Sequence, residues 1–431
     1  MSQPCPSSSS HRPDLTTPRR LPLSLVAALA SGVSAVAQAQ DWNLSGFGTL
    51  GWAQSDRAEA YQRFIDDRGT WRRDSKLGAQ LDWRYNPAWS LTAQAMVRPS
   101  ERSDTQDTAQ LTWLFAAWRP DNDSQIRVGK QRVPLFLNSE NLEVGQTYDV
   151  ARLPVEVYAL TPTQDVTGVY ASRSWWGDGS ETSVEAAYGR TTLWYRAHLR
   201  DLGTRFSGLD ADIFSLVGNW RTDSHRVRLG WHHVRSDGPQ GQGVPDHYPL
   251  QPEGYYLVSG PGVPTTSHFT NDVVVLAADL ALAPTWRLQL EGARNFQHAM
   301  HVAPSSTAGN LTLVKHLGDW HPYASLSRIV SQGSGARLTA ALDRTVLPGQ
   351  DLQSQLINAS QRAAADAYPV LYQTSLALGT SLALGPRSKL KFEWLSTQIG
   401  SRSSLIDSPA GGEPIRHQRV QVWSVNHNFV F

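Results

Sequence analysis

SKLGAQLDWRYNPAWSLTAQAMVR, residues 75–98, is the stretch that decides the fold. Leu77, Ala79, Leu81, Trp83 and Tyr85 alternate with Lys76, Gln80, Asp82 and Arg84. After Asn86-Pro87, Trp89, Leu91, Ala93, Ala95 and Val97 alternate with Ser90, Thr92, Gln94 and Arg98. Two period-two runs joined by a turn pair predict an antiparallel hairpin with one apolar and one polar face. Arginine, lysine and aspartate on the polar face do not suit a packed core. They suit the wet interior of a transmembrane β-barrel whose other face meets lipid.

The same pattern extends in both directions. Very short turns at Asn86-Pro87, Asp121-Asn122-Asp123, Gly177-Asp178-Gly179, Thr222-Asp223, Ala283-Pro284, Gly318-Asp319 and Gly385-Pro386 alternate with long polar segments. The long segments are 55–71, 99–107, 132–164, 191–211, 236–268, 298–310, 331–369 and 400–417. Short turns on one rim and long loops on the other are the mark of an outer-membrane barrel, here all-β with about sixteen strands. The strands expected are 42–54, 72–85, 88–98, 108–119, 124–131, 165–174, 181–190, 212–221, 225–235, 269–282, 285–297, 311–317, 319–330, 370–384, 387–399 and 418–431. Within 331–369, Arg337 to Arg344 fits one more strand and Asp351 to Ala367 fits a loop helix, so eighteen strands stay open.

Composition agrees. The chain has 431 residues, 40% of them hydrophobic, with 16 Trp, 13 Tyr and 11 Phe. Beyond residue 40 nothing resembles an apolar membrane helix. Aromatic residues near strand ends (Trp52, Trp83, Trp89, Trp113, Trp220, Trp231, Trp286 and Trp394) are expected to form interfacial girdles. At the N-terminus, Arg12, Arg19 and Arg20 precede an apolar run, Leu21 to Val36, and the small-x-small triplet Ala37-Gln38-Ala39. This predicts a cleaved secretory signal over 1–39 and a barrel over 40–431. Cys5 lies ahead of the apolar run, so the mature chain has no cysteine and no disulfide. Losing three Arg and one Asp moves the formal charge from +1 to −1. No basic field points to nucleic acid.

One segment breaks the rhythm. RVPLFLNSENLEVGQTYDVARLPVEVYALTP (132–162) is too long for a turn and lacks sustained alternation, and Pro134, Gly145, Pro154 and Pro162 interrupt its apolar runs. A structureless loop of this length is usually functional, and we expect it to fold into the barrel and narrow a water-filled pore.

Other chemistries find little support. Gly46-Phe-Gly48-Thr-Leu-Gly51 matches G-x-G-x-x-G. It lacks the preceding strand and following helix of a dinucleotide site, and it reads as a glycine-rich first strand. His225, His232, His233, His316 and His321 are scattered, no G-x-S-x-G is present, and His232 and His233 point to opposite faces. His298 and His301 sit in a loop with no matching ligands. No catalytic residue, metal or cofactor is expected.

The chain ends QVWSVNHNFVF, with Trp423, Val425, Phe429 and Phe431 on one face. A terminal Phe431 on an alternating strand resembles the signal read by the outer-membrane insertion machinery. With the leader and the long segment after the fifth strand, the mature chain resembles the Gram-negative outer-membrane porins. VGKQRVPLFLNSENLEVG (128–145) followed by RLPVEVY (152–158) also looks like a segment of proteobacterial porin-like proteins. The resemblance implies export through the periplasm, an outer-membrane location in lipid, a homotrimer, and passive diffusion of small hydrophilic solutes or ions. A substrate-specific channel is the alternative, and an outer-membrane barrel enzyme or adhesin a more distant one.

The charges to weigh are those near the narrow level. Alternation turns Arg84, Arg98 and Arg127 inward, with Lys76 and Asp82 beside them; the long segment offers Arg132, Glu140, Glu143, Asp149, Arg152 and Glu156. A basic wall facing an acidic loop gives a transverse field, as in general porins. The same charges also suit salt bridges that pin the loop to the wall, and the two readings stay open. Farther on, Arg226, Arg228, Arg287, Lys389 and Lys391 sit beside Glu291 and Glu393 as further lumen candidates, and the basic excess suggests a mild anion preference.

Overall fold

The computed structural model describes residues 42–161, 165–238 and 242–431. The expected signal segment and Pro162 lie outside the described residues. Sixteen strands close into one antiparallel barrel. They are β1 (Trp42–Ser55), β2 (Lys76–Arg84), β3 (Trp89–Pro99), β4 (Asp107–Trp118), β5 (Ser124–Arg132), β6 (Asp165–Gly177), β7 (Ser180–Leu199), β8 (Gly203–Thr222), β9 (His225–Asp237), β10 (His268–Ala283), β11 (Trp286–His298), β12 (Ser305–Lys315), β13 (Trp320–Gln332), β14 (Leu371–Gly385), β15 (Ser388–Ser403) and β16 (Arg419–Val430). Closure comes from β1 against β16, with Phe47 opposite Val430 and Trp52 opposite Val425. No described helix is long and apolar enough to cross a membrane.

Register keeps each face uniform around the wall. Leu77, Ala79 and Leu81 pair with Val97, Ala95 and Ala93 on the outward face of β2 and β3, which leaves Lys76, Asp82 and Arg84 facing inward. On β10, Val274 and Leu276 are exposed while Val273, Val275 and Ala277 are buried. The outward side chains form an exposed apolar belt that includes Leu50, Leu81, Val97, Val128, Leu216, Leu276, Leu311 and Leu376. A soluble protein does not expose so large a continuous apolar surface; a lipid-facing barrel does. The glycine motif of β1 serves this wall. The ring of Phe431 lies where a side chain on Gly46 would stand, and Phe429 occupies the same place at Gly48.

The structure departs from expectation in five places. The segment 191–211 is no loop: β7 and β8 run on as a ladder to a tight turn at Gly203, whose φ is +72°. Its polar residues project past the membrane belt, so apolar alternation gave no signal. β12 begins at Ser305, inside the expected loop 298–310. Arg337 to Arg344 belongs to a helix, α2 (Gly333–Arg344), rather than a strand, and α3 (Leu352–Ala367) follows it, capped by Asp351. Trp113 leaves the outward row because a bulge in β4 pairs it with inward-facing Gln94, and its indole contacts Phe115. His316 and His321 are not scattered but stack with ring centroids 4.3 Å apart.

After β5 the chain turns into the interior. Val133, Leu135, Phe136 and Val157 form one buried cluster with inward-facing Ile213, Val273, Val275, Ala293, Ala308 and Ile329 of the wall from β8 to β13. Across the barrel, Gly145 packs against Asn428 and Thr49, and Asn426 donates to the Ala151 carbonyl at 3.0 Å. Irregular backbone inside a barrel survives only where the wall or water satisfies it. Here Glu291 accepts from Leu137 N at 2.8 Å, Tyr323 Oη from Ala151 N at 2.9 Å, and Lys391 donates to the carbonyls of Gly145 and Val150 at 2.6 and 2.9 Å.

Candidate functional site

The inserted segment is held by charges along its length. At its base, Arg132 clamps Asp165 through two bonds of 2.7 and 3.2 Å, joining the end of β5 to the start of β6. Glu143 is buried between Lys76 Nζ at 2.8 Å, Arg98 at 3.0 Å and Arg132 at 3.8 Å. Burial alone would raise the Glu143 pKa; these cations outweigh it and hold the carboxyl well below the ordinary range. Arg98 also pairs with Glu101. Arg152 binds Asp74 at 2.8 Å and Ser424 Oγ at 2.5 Å.

Two more acids of the segment are fixed differently. Asp149 meets Lys389 Nζ at 2.9 Å, Ser381 Oγ at 2.8 Å and His321 at 2.9 Å. Burial again opposes its ionisation, and Lys389 with these hydrogen bonds lowers its pKa. Glu156 is only 2% exposed and has no cation partner among the described residues. It accepts from Ser327 and Gln373, both at 2.7 Å, and from Ser375.

A second group of charges is not consumed this way. Arg84 is exposed at the end of β2 and has no ion pair among the described residues. Arg119, just past β4, donates to Ser90 Oγ at 3.1 Å and to no carboxylate among the described residues. Its pKa is lowered by burial and then by the nearby guanidiniums of Arg127 and Arg84, so three cations share one sector. Arg127 bonds Gln125 at 2.8 Å, lies over the Tyr170 ring at 4.7 Å, and reaches half-exposed Glu140 only at 3.9 Å. Asp82 accepts from Thr92 and Gln80 at 2.7 and 2.8 Å. On the facing wall Arg226 stands across from Arg221, while Arg287 is paired with Asp279 at 2.6 Å. Arg228 is buried on the Phe136 carbonyl and Glu185.

So the structure divides the expected set. It brings Lys76, Arg98, Arg132 and Glu143 into one buried cluster, and it leaves Arg84, Arg127 and Glu140 open. Arg119, Asp74 and Asp165 belong to these groups and were missed: each stands at a strand's end or in a connecting segment, where alternation assigns no face. Asp149, His316 and His321 bring ligand atoms within 4.8 Å of one another, spacing a metal ion would accept. Lys389 already occupies Asp149 there. His301, expected to lack ligands, lies 3.0 Å from Asp246 beside His247.

No protein-family model matches the chain, and no curated protein matches it in sequence. Solved structures match its fold. An anion-selective porin from Comamonas acidovorans aligns at 10% identity with a TM-score of 0.50, over 90% of this chain and 99% of that one. OprB of Pseudomonas putida aligns at 9% and 0.51, over 91% and 94%, and OmpT of Vibrio cholerae at 9% and 0.51, over 91% and 99%. The chain therefore has the sixteen-stranded porin-like barrel fold.

Proposed function

We propose that this barrel is an outer-membrane channel for passive diffusion of small hydrophilic solutes, with a mild preference for anions, and that segment 132–162 sets its narrowest level. The observation that carries the reading is the cluster of Arg84, Arg119 and Arg127, faced by one half-exposed carboxylate, Glu140. Fixed charge lining a constriction raises the local concentration of the opposite ion. The buried pairs around Glu143 hold the segment in place and leave the arginine sector to act on solutes. Residence in the outer membrane, a homotrimeric assembly and insertion guided by Phe431 rest on the likeness to porins. The reading is non-enzymatic. Ser215 does lie 2.8 Å from His232, but both are buried, at 1% and 0% exposure, where no substrate reaches the hydroxyl.

Planar-bilayer recording tests this. The folded protein should give ohmic single-channel steps, and Arg84→Ala/Arg119→Ala/Arg127→Ala should lower the anion-to-cation permeability ratio severalfold. A folded barrel without conductance overturns the channel. Saturable block by one solute class would instead favour a substrate-specific channel, for which the Arg127–Tyr170 stack is the natural contact.

A further inference from the structure

On the outer wall, a groove of about 590 Å³ interrupts the apolar belt between β10 and β13. Gly292 of β11 and Gly309 of β12 stand opposite each other on the outward face, between Leu276 and Arg328 in register. Leu290, Leu311 and Leu326 line the groove toward the short-turn rim. Glycine within a strand is unfavourable by about 0.5–1 kcal/mol relative to alanine, and it often marks close approach by a ligand or another backbone. Nothing in this chain explains these two. A Cβ on Gly292 would meet only the Leu276 carbonyl at 4.0 Å, and one on Gly309 only the Glu291 carbonyl at 3.6 Å. By contrast, Gly46 and Gly48 are filled by Phe431 and Phe429.

Two outward arginines flank the upper end of this groove. Arg328 lies 5.9 Å from the Tyr372 ring and 3.4 Å from its hydroxyl; Arg294 lies over Phe296 at 4.7 Å. Neither has a carboxylate partner among the described residues. The nearest outward acid, Asp272, already contacts His233 and His298 at 3.0 and 3.1 Å. Aromatics such as Tyr372 and Phe296 mark the headgroup level on a barrel's outer wall, which puts both guanidiniums where headgroups lie and the glycines where acyl chains begin.

We propose that this face is a specific site for an anionic phosphate-bearing lipid, with the headgroup on Arg294 and Arg328 and one acyl chain laid over Gly292 and Gly309. Guanidinium and phosphate form paired charge-assisted hydrogen bonds, and the groove supplies the room that a leucine would otherwise fill. The site lies outside the barrel and does not depend on conduction. A second copy of this chain is the competing occupant. It would have to bring an unpaired acid to the two arginines.

Native mass spectrometry of the barrel released from phosphatidylcholine nanodiscs doped with phosphatidylglycerol or lipid A tests the proposal. The wild type should retain one anionic lipid. Arg294→Ala/Arg328→Ala should reduce that retention about tenfold, since a loss of one charge-assisted contact of about 1.4 kcal/mol is tenfold. Gly309→Leu, which fills the groove and spares the charges, should reduce it as well. Equal retention by the arginine variant, or no preference for anionic lipid over phosphatidylcholine in the wild type, overturns the site. So does an oligomer that dissociates in Gly309→Leu with its lipid content unchanged, because a second copy would then occupy the groove.

Discussion

Glu143 shows how much one residue decides in this interior. Three cations converge on its carboxylate, and it is the shared anion that lets Lys76, Arg98 and Arg132 approach one another. Removing one member of a buried ion pair typically costs about 3–5 kcal/mol, because the partners are left uncompensated. Glu143→Gln should therefore free the middle of the inserted segment, seen as faster cleavage by protease in detergent and noisier open-channel current; a variant as resistant and as quiet as the wild type would deny the cluster that role. The pH dependence has a definite sign. A carboxyl whose pKa is depressed on folding stabilises fully above its ordinary value and loses that contribution as pH falls through the depressed one. With Glu143 held well below its ordinary 4.5, conductance should stay constant from about pH 7 to pH 5, where an unshifted carboxyl would begin to titrate. A step in conductance within that range would contradict the burial and pairing described. Sequence alternation placed Lys76 and Arg98 on the inner face, but a face is not a distance. Whether an inward arginine is paired, as Arg98 is, or open, as Arg84 is, depends on where a loop of irregular backbone puts its acids.

The inserted segment is an element without regular structure, and its path is fixed by its neighbours. Gly145 is the closest approach to β16: a side chain there would run into the amide of Asn428. Gly145→Leu should push the segment off that wall and change single-channel conductance, with the barrel still heat-modifiable on gels. Shortening the segment within 136–150 should raise conductance, since the narrowest level dominates the resistance. Unaltered conductance in both would mean that solutes pass elsewhere. The strands that cross the belt were legible because lipid on one side and water on the other impose a period of two. Where that contrast ends, so does the signal. The outer halves of β7 and β8 meet water on the outside and Asp104, Asp407 and Asp366 through Arg196 and Arg200. The helix α2 packs Leu342 beside Ala364 and Ala365 of α3 in a cap of loop residues. No sequence period of a barrel strand describes either.

For the molecule as a whole, a mature chain of nearly balanced charge draws its selectivity from arrangement rather than from excess. The sixteen-stranded wall was readable from turns and alternation, whereas the asymmetry of charge in its lumen came only with the three-dimensional placement of Arg119 and Glu140. That arrangement has a consequence for salt. The screening length is about 10 Å at 0.1 M and about 3 Å at 1 M. The arginine sector acts on a passing ion across water, so its influence is largely lost at the higher concentration. Reversal potentials measured under the same salt ratio should give an anion-to-cation permeability ratio above unity near about 0.1 M that relaxes toward unity near about 1 M. Direct coordination behaves differently, because an ion seated against Arg127 and Tyr170 stays within contact distance at any ionic strength. Anion preference that persists undiminished at high salt would therefore identify a binding site within the lumen, and the substrate-specific channel would replace passive diffusion as the function of this barrel.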